Sequence, residues 1–518
     1  MIKGKVWVLL AVLAVIFAAM LALRPVLPID ETRYLAVAWE MWLSGDPVHL
    51  TKNFSFYTHK PPLLFWLINL IWLVSGVSEL AGRALGPVLA IAVVFSTNLL
   101  AKRFWPELKD IGFHAAVIVA GFTVFLLYGS ATMFDCLLAL PVLLGVAALW
   151  AVGSGQNTWP NWVLFGLALA IGVLAKGPVI FVHLMPLVLT LPVWAKQAPV
   201  YRTVWKGFAL AIVVALAFVA LWLAPALITG SPEFRTELLW TQSAGRVAGG
   251  LAHDRPFWFL AALLPAILFP WGWSLRSWSG LRANWKSDPA LRFCVIWAVS
   301  ALVLFSLISG KQVHYLIPAF PAISMIFARA ASASETPART LVWLPLVLLG
   351  GVFVAIGSGL APANGDLIAL SPFWPSLVLG AVCFGLAYLC WRLDFLPGHA
   401  LAGVGLALGL HGLVYSTALY QIYEGKALAD LVLQHAADGI AVTNLEYNAE
   451  FNFAARLTAP VALPQSKAEV LEWAKAHPAG IVLGRISESP LTIAPKETIK
   501  YIGQDWGYWP SALIISQE

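Results

Sequence analysis

Charge is scarce in this chain: only 11% of its 518 residues are Asp, Glu, Lys or Arg, while 60% are hydrophobic. A soluble globular chain is roughly one-quarter charged, so an ordinary soluble domain is excluded before any motif is read. Cysteine is scarcer still. Cys136, Cys294, Cys383 and Cys390 all lie in apolar segments and form no C-x-x-C pair, which leaves neither a disulfide framework nor a zinc ribbon. Walker A loop, Rossmann fingerprint and nucleophile elbow are all missing, which argues against nucleotide-fuelled transport and serine hydrolysis. The net charge is +6, but the basic residues are spread over loops with no stripe or module that would read nucleic acid, so no nucleic-acid partner is expected.

Apolar runs, by contrast, are abundant, and many are long enough to cross a hydrocarbon core of about 30 Å. Thirteen spans are expected, near 5–27, 84–101, 111–129, 136–152, 161–175, 177–194, 207–228, 257–275, 291–308, 312–328, 341–360, 373–391 and 399–420. The first follows Lys3 and Lys5 and is longer than most signal-peptide cores, so it reads as an uncleaved span with a cytoplasmic N-terminus. The run 61–77 opens on Pro61-Pro62 and is barely long enough to cross. If it does not cross, the clusters Lys102/Arg103/Lys109, Lys196/Arg202/Lys206, Arg276/Arg282/Lys286/Arg292 and Arg329/Arg339 all become cytoplasmic, as the positive-inside rule asks. It is therefore read as an interfacial helix in the first external loop. Leu35, Ala38, Trp39, Trp42 and Leu43 fall at helical spacing opposite Arg33 and Glu40, which suggests a second helix in the headgroup plane.

The expected fold is thus all-α and polytopic over 1–424, followed by a small extracytoplasmic α/β domain over 425–518. In that tail GIAVTNLEY, GIVLGRI, TIKYIG and SALIIS read as strands, with helices around 448–457 and 467–477. No catalytic signature is visible there.

With this parity the reaction-capable residues gather on the outer side. Transfer of a sugar from a lipid phosphate needs a base for the acceptor and cations for a leaving phosphate that gains negative charge. PIDETRY offers Asp30 and Glu31 as catalytic carboxylates, although Asp30 could equally cap the helix that follows. YTHKPPLLFW places His59 and Lys60 at a helix mouth, where Lys60 suits a phosphate or a lipid headgroup. Arg83, Arg246 and Arg255 are further external cations able to grip phosphate oxygens in pairs. Asp135 lies at an outer boundary, either as a functional carboxylate or as a helix cap. Lys176 in LAKGPV and Lys311, His314 and Tyr315 in SGKQVHYLIPAFP complete the polar set. His59, His253 and Asp254 could bind a divalent metal if folding joined them; surface histidines are the alternative.

Taken in order, PIDETRY, the K-P-P segment, the external Asp135, LAKG, HDRPFW and GKQVHYLIPAFP resemble the lipid A 4-amino-4-deoxy-L-arabinose transferases. These stand among the GT-C glycosyltransferases with the protein O-mannosyltransferases. The resemblance covers residues 1 to about 420 and implies an outward-facing site using undecaprenyl phosphate sugars, with inversion at the anomeric carbon. It implies Asp30 as base, Lys60 as phosphate ligand, Asp135 as a second carboxylate, and Arg246, Arg255 and Tyr315 as cavity residues. His253 would lie near a metal such as zinc or magnesium. Where those enzymes commonly carry Glu before the K-P segment, this chain has His59.

The expected function is transfer of a sugar from a polyprenyl phosphate to lipid A, another glycan or protein, at the periplasmic face of a bacterial inner membrane. A lipid-linked sugar flippase is the alternative from another class, and a scaffold for polymer assembly is a third.

Overall fold

A computed structural model describes residues 2–198, 200–238, 254–279, 281, 285–333, 340–361, 365–443 and 446–517. Among them nine helices are long and apolar enough to cross a membrane, or ten if one bent pair counts as a span. The chain is a multi-pass membrane protein. Helix α1 (Ile2–Ala22) leads to α2 (Asp30–Ser44), a short hairpin β1–β2 (Thr51–Lys52, Ser55–Phe56) and α3 (Leu63–Ser75). Then come α4 (Glu79–Phe104), the pair α5 (Ile111–Gly121) and α6 (Thr123–Gly129), α7 (Phe134–Gly153), α8 (Trp159–Lys176) and α9 (Val179–Leu189). Later spans include Tyr201–Thr229, Pro289–Leu307, Val313–Ser332, Trp374–Arg392 and Phe395–Tyr415.

Where expectation and structure differ, local chemistry supplies the reason. The run at 111–129 is bent by 71°. Thr123 leaves the helical ladder there to donate through N to Phe269 O (3.3 Å) and through Oγ1 to Gly403 O (3.2 Å). The segment expected as a span at 257–275 is instead a succession of short turns, Phe259–Ala262, Leu264–Ile267, Trp271–Trp273 and Leu275–Ser277. Pro265 and Pro270 each remove a backbone donor and interrupt it. Helix α3 is 13 residues, about 20 Å at 1.5 Å per residue, too short for a full crossing.

The polar residues sort to opposite ends of the bundle. At one end Asp288 accepts from Trp105 Nε1 and Arg329 Nε (2.7 Å), and Arg292 donates to Val193 O. The other end holds the finish of α1, the starts of α2, α4 and α7, and the finish of α8. Ser78 Oγ caps α4 by accepting from Ala81 N. Gly86 lets α4 pass the 131–132 backbone, since a Cβ there would stand 2.2 Å from Ala131 O.

The tail folds into a four-stranded sheet of order β3-β4-β6-β5, with β3 Ile440–Val442, β4 Ile481–Arg485, β5 Glu497–Tyr501 and β6 Gln504–Pro510. Only the β3–β4 pair is parallel. The helix expected at 467–477 is present as Lys467–Ala476, capped by Ser466. SALIIS, expected as a strand, is the helix Ser511–Gln517, and the fourth strand is the preceding QDWGYWP. Residues 448–457 form turns; positive φ at Ala449 and Arg456 breaks any helix there.

The tail packs on α2 and the hairpin through a buried polar network. Glu40, expected on a solvated face, is 1% exposed. Its carboxylate accepts from Asn53 N and Phe54 N, both at 2.8 Å. Those two residues are the hairpin turn, both at positive φ, so their N–H groups converge on one anion. Asn53 exchanges hydrogen bonds with Val461 across to the tail, Asn452 Nδ2 reaches Glu40, and Tyr447 donates to Asn452 Oδ1 at 2.6 Å. Trp72 stacks on Phe453 at 5.4 Å. Glu40→Ala should cost about 3 kcal/mol, because a buried and a half-buried N–H group both lose their acceptor; thermal unfolding in detergent measures this, and an unchanged midpoint would contradict it.

Burial raises the Glu450 carboxyl, like that of Glu40, above the ordinary value of 4.5. A carboxyl raised on folding favours the fold below its unfolded value and opposes it as pH climbs through the folded one. Glu450→Gln should therefore be more stable than the native chain at pH 7, with the gain vanishing as pH falls to about 4.5. Unfolding midpoints at the two pH values test the sign.

Candidate active site

The segment between α1 and α2 is strained where it turns. Ile29 sits at φ 68°, ψ −51°, and Asp30 N donates to Pro28 O at 2.8 Å, the geometry of a γ-turn that β-branched residues rarely adopt. This turn sets Asp30 at the start of α2. The capping alternative for Asp30 does not hold, since no side chain caps α2. Instead Asp30 Oδ1 accepts from Arg33 Nη2 (2.9 Å) and Tyr34 OH (3.0 Å). Both donors lie at i+3 and i+4, on the same face of the helix. Burial, and next the Asp30 carboxylate, raise the Tyr34 phenol well above its ordinary pKa, so it stays a donor. Asp30 is about one-third exposed, and its Oδ2 accepts no hydrogen bond from a described residue.

Phe134 joins this group to the next. Its ring meets Tyr34 edge-on at 4.9 Å and Phe65 at 5.9 Å, and Lys60 Nζ stands 5.3 Å over it. The following residue is Asp135, 2% exposed and ion-paired with Lys176 Nζ at 2.5 Å. The cap reading fails here too, because α7 has no side-chain cap. His314 Nε2 lies 3.8 Å from Asp135 Oδ2, and Lys176 Nζ stands 4.5 Å over the Tyr315 ring. Asp30, Lys60, Asp135 and Lys176 all lie within electrostatic reach of the His314 ring. Asp30, Lys60, Asp135 and Tyr315 thus share one aromatic-floored site at one end of the bundle.

Two candidates lie outside it. Glu31 is fully buried and serves as an anchor: Arg24 grips both its oxygens, and Leu27 N (2.8 Å) and Thr132 N (2.7 Å) donate to it. Arg83, named for phosphate, is spent on Glu79 and on the carbonyls of Leu21, Arg24 and Pro25 at the end of α1. A buried guanidinium held by main-chain oxygens is not open to a phosphate.

Arg255 is exposed, 5.5 Å over Phe259, and none of its described contacts reaches the cluster. Its backbone pairs with the 309–311 segment, and buried Lys311 donates to Arg255 O at 2.6 Å, so Asp254 and Arg255 are brought beside the start of GKQVHY. Arg246 and His253 lie outside the described residues. Among the described residues no three His, Cys, Asp or Glu side chains are grouped to hold a metal ion. His59 is exposed beside Tyr57.

Lys176 and His314 were visible in the sequence as residues without a role, and the geometry joins both to Asp135. Arg33 and Tyr34 were missed as site residues, although their spacing from Asp30 carries the signal.

No family model matches the chain. A curated relative from Pseudomonas paraeruginosa, named undecaprenyl phosphate-alpha-4-amino-4-deoxy-L-arabinose arabinosyl transferase, is 31% identical over 310 residues. That alignment covers 58% of this chain and 55% of the relative. The same-named protein of Serratia proteamaculans is 26% identical, covering 74% of this chain and 70% of its own length. The chain is similar in sequence to these aminoarabinose transferases and spans about half the length of the first of them. Crystal structures of ArnT from Cupriavidus metallidurans superpose with TM-scores of 0.78 (bound to undecaprenyl phosphate) and 0.80 (apo). Each comparison covers 99% of both chains at 18% and 17% identity, so these likenesses carry the fold.

Because Asp135 is buried and Lys176 is largely so, removing one leaves an uncompensated charge. Lys176→Met should destabilise by about 4 kcal/mol, and adding Asp135→Asn should restore more than half of that. Unfolding midpoints of the single and double variants measure it; additive losses would refute the pairing.

Proposed function

We propose that this chain is a membrane glycosyltransferase that moves a sugar from a polyprenyl phosphate to an envelope acceptor such as lipid A, another glycan or protein. The observation that carries the reading is the pairing, in one site, of a carboxylate with an open oxygen, Asp30 Oδ2, and cations held nearby at Lys60, Lys176 and Arg33. The relatives' name and the undecaprenyl phosphate in the ArnT crystal structure support the donor class.

In this reading the acceptor hydroxyl attacks the anomeric carbon as its proton passes to Asp30 Oδ2. The bond from that carbon to the phosphate oxygen breaks, and its electron pair stays on the phosphate. The leaving group's charge grows from about −1 to −2, so it needs no protonation; it needs positive charge, which Lys60 and Lys176 supply. A single displacement inverts the anomeric centre. Asp135 holds Lys176 in place, and Tyr315 forms the wall beneath it.

The site is extracytoplasmic in this proposal, in a bacterial inner membrane with the N-terminus cytoplasmic. Arg292, Arg329 and Lys196 gather at the end of the bundle away from Asp30, which the positive-inside rule assigns to the cytoplasm. The sheet-bearing tail, residues 425–518, would then be periplasmic.

Purified protein given a polyprenyl phosphate sugar and a hydroxyl acceptor should release polyprenyl phosphate. Asp30→Asn keeps the shape and removes the base, and should lower kcat at least 100-fold. Native-rate release by that variant would remove Asp30 from the role, and no release by the native chain would favour a flippase.

A further inference from the structure

We infer that Asn448, carried by the C-terminal tail, is a positioning residue of this site: its Oδ1 fixes the Arg33 guanidinium, which in turn holds Asp30. The inference rests on the transferase reading above and extends it to a part of the chain in which the sequence shows no catalytic signature.

Arg33 is shared. Nη2 donates to Asp30 Oδ1 at 2.9 Å while Nη1 donates to Asn448 Oδ1 at 3.2 Å. Because a guanidinium has only donors, the Asn448 atom facing it must be the oxygen. The amide nitrogen accordingly points elsewhere, to Glu446 O at 3.3 Å. One planar fork thus spans a residue 3 positions away and one 415 positions away, so the tail fixes the plane in which Arg33 meets Asp30.

Asn448 is itself held. Its backbone N donates to buried Glu450 at 2.8 Å, and the next residue, Ala449, turns at φ 57°. Lys52 donates to Tyr447 O at 3.2 Å, and the Tyr447 hydroxyl enters the network that Asn452 makes with Glu40 and Asn53. The loop is therefore anchored independently of Arg33, as a positioning element must be. With Arg33 held on Oδ1, Asp30 keeps Oδ2 aimed outward. Without the tether, Arg33 can swing across both carboxylate oxygens in the bidentate geometry that Arg and carboxylate favour, and block the base.

Three chains are compared: native, Asn448→Ala, and Asn448→Asp, which retains an acceptor oxygen. Phenylglyoxal labelling of Arg33, mapped by peptide mass spectrometry, needs no transferase chemistry. Asn448→Ala should label several-fold faster and Asn448→Asp at close to the native rate. In the polyprenyl phosphate release assay Asn448→Ala should lose about tenfold in kcat, as expected for a lost hydrogen bond to a charged group. KM for the donor and the unfolding midpoint should change little, and Asn448→Asp should recover most of the rate. Unchanged Arg33 labelling overturns the inference whether or not transfer is seen. Equal losses of rate and midpoint in both variants overturn it as well, by assigning Asn448 a structural role. If the native chain releases no polyprenyl phosphate while labelling responds as expected, the transferase reading fails and the tether stands.

Discussion

The site is built around a carboxylate that takes no part in it. Glu31 ties together three pieces of chain: Arg24 at the end of α1, the Leu27 N–H before α2, and the Thr132 N–H before α7. Burial alone would raise its pKa, but the charge and hydrogen bonds of Arg24, then Arg83 and the Thr132 N–H, hold it below the ordinary value of 4.5. Its contribution to stability is therefore present at neutral pH and is lost only as pH falls through that depressed value. Desolvating two charges is expensive, and the cost is offset here because every oxygen lone pair finds a donor. Asp30 is the residue before this anchor, and Asp135 follows Thr132 by three. Fixing Glu31 fixes both.

Seen from that anchor, the carboxylates divide by exposure. Glu31 and Asp135 are buried and spent on cations. Asp30 is partly open and has both its described hydrogen bonds on one oxygen, which leaves the other without a partner among the described residues. A buried ion pair such as Asp135–Lys176 adds little net stability over an apolar pair. Its value lies in placement, since it sets an ammonium beside the Tyr315 ring where a phosphate could meet it.

What the sequence made legible follows the same physics. Long apolar runs and the distribution of lysine and arginine marked the spans, and bilayer thickness imposes that pattern whatever the fold. The bend at Thr123 and the broken 257–275 segment were not legible, because tertiary partners such as Gly403 O and Phe269 O take the place of helical hydrogen bonds. Asp30, Lys60 and Asp135 stood out because charge near a membrane boundary is costly and demands a reason. Glu31 and Arg83 stood out for the same reason, and no local pattern separates a charge that faces the cluster from one that locks helices. The γ-turn at Ile29 runs against the preference of a β-branched residue, so it is a strain that only the folded neighbourhood sustains. SALIIS was misread because a short continuous apolar run, Ala512 to Ile515, suits a strand as well as a helix.

The tail is the least legible part and bears most on how such a site can work. An activated sugar on a phosphate reacts with water as well as with an acceptor, so a transferase at a membrane edge must limit the water that reaches its base. Helices alone leave that end of the bundle open. Here the 446–461 segment lies over α2 and the hairpin, and it is held there by Glu40, Asn53 and Asn452, groups that an apolar interface would not need. An apolar contact would stabilise the interface and let it slide. A satisfied polar network admits one register, and that register puts an amide oxygen on the arginine that holds Asp30. The covering of the site and the orientation of its chemistry are then one structural decision, made by residues more than 400 positions apart in the chain.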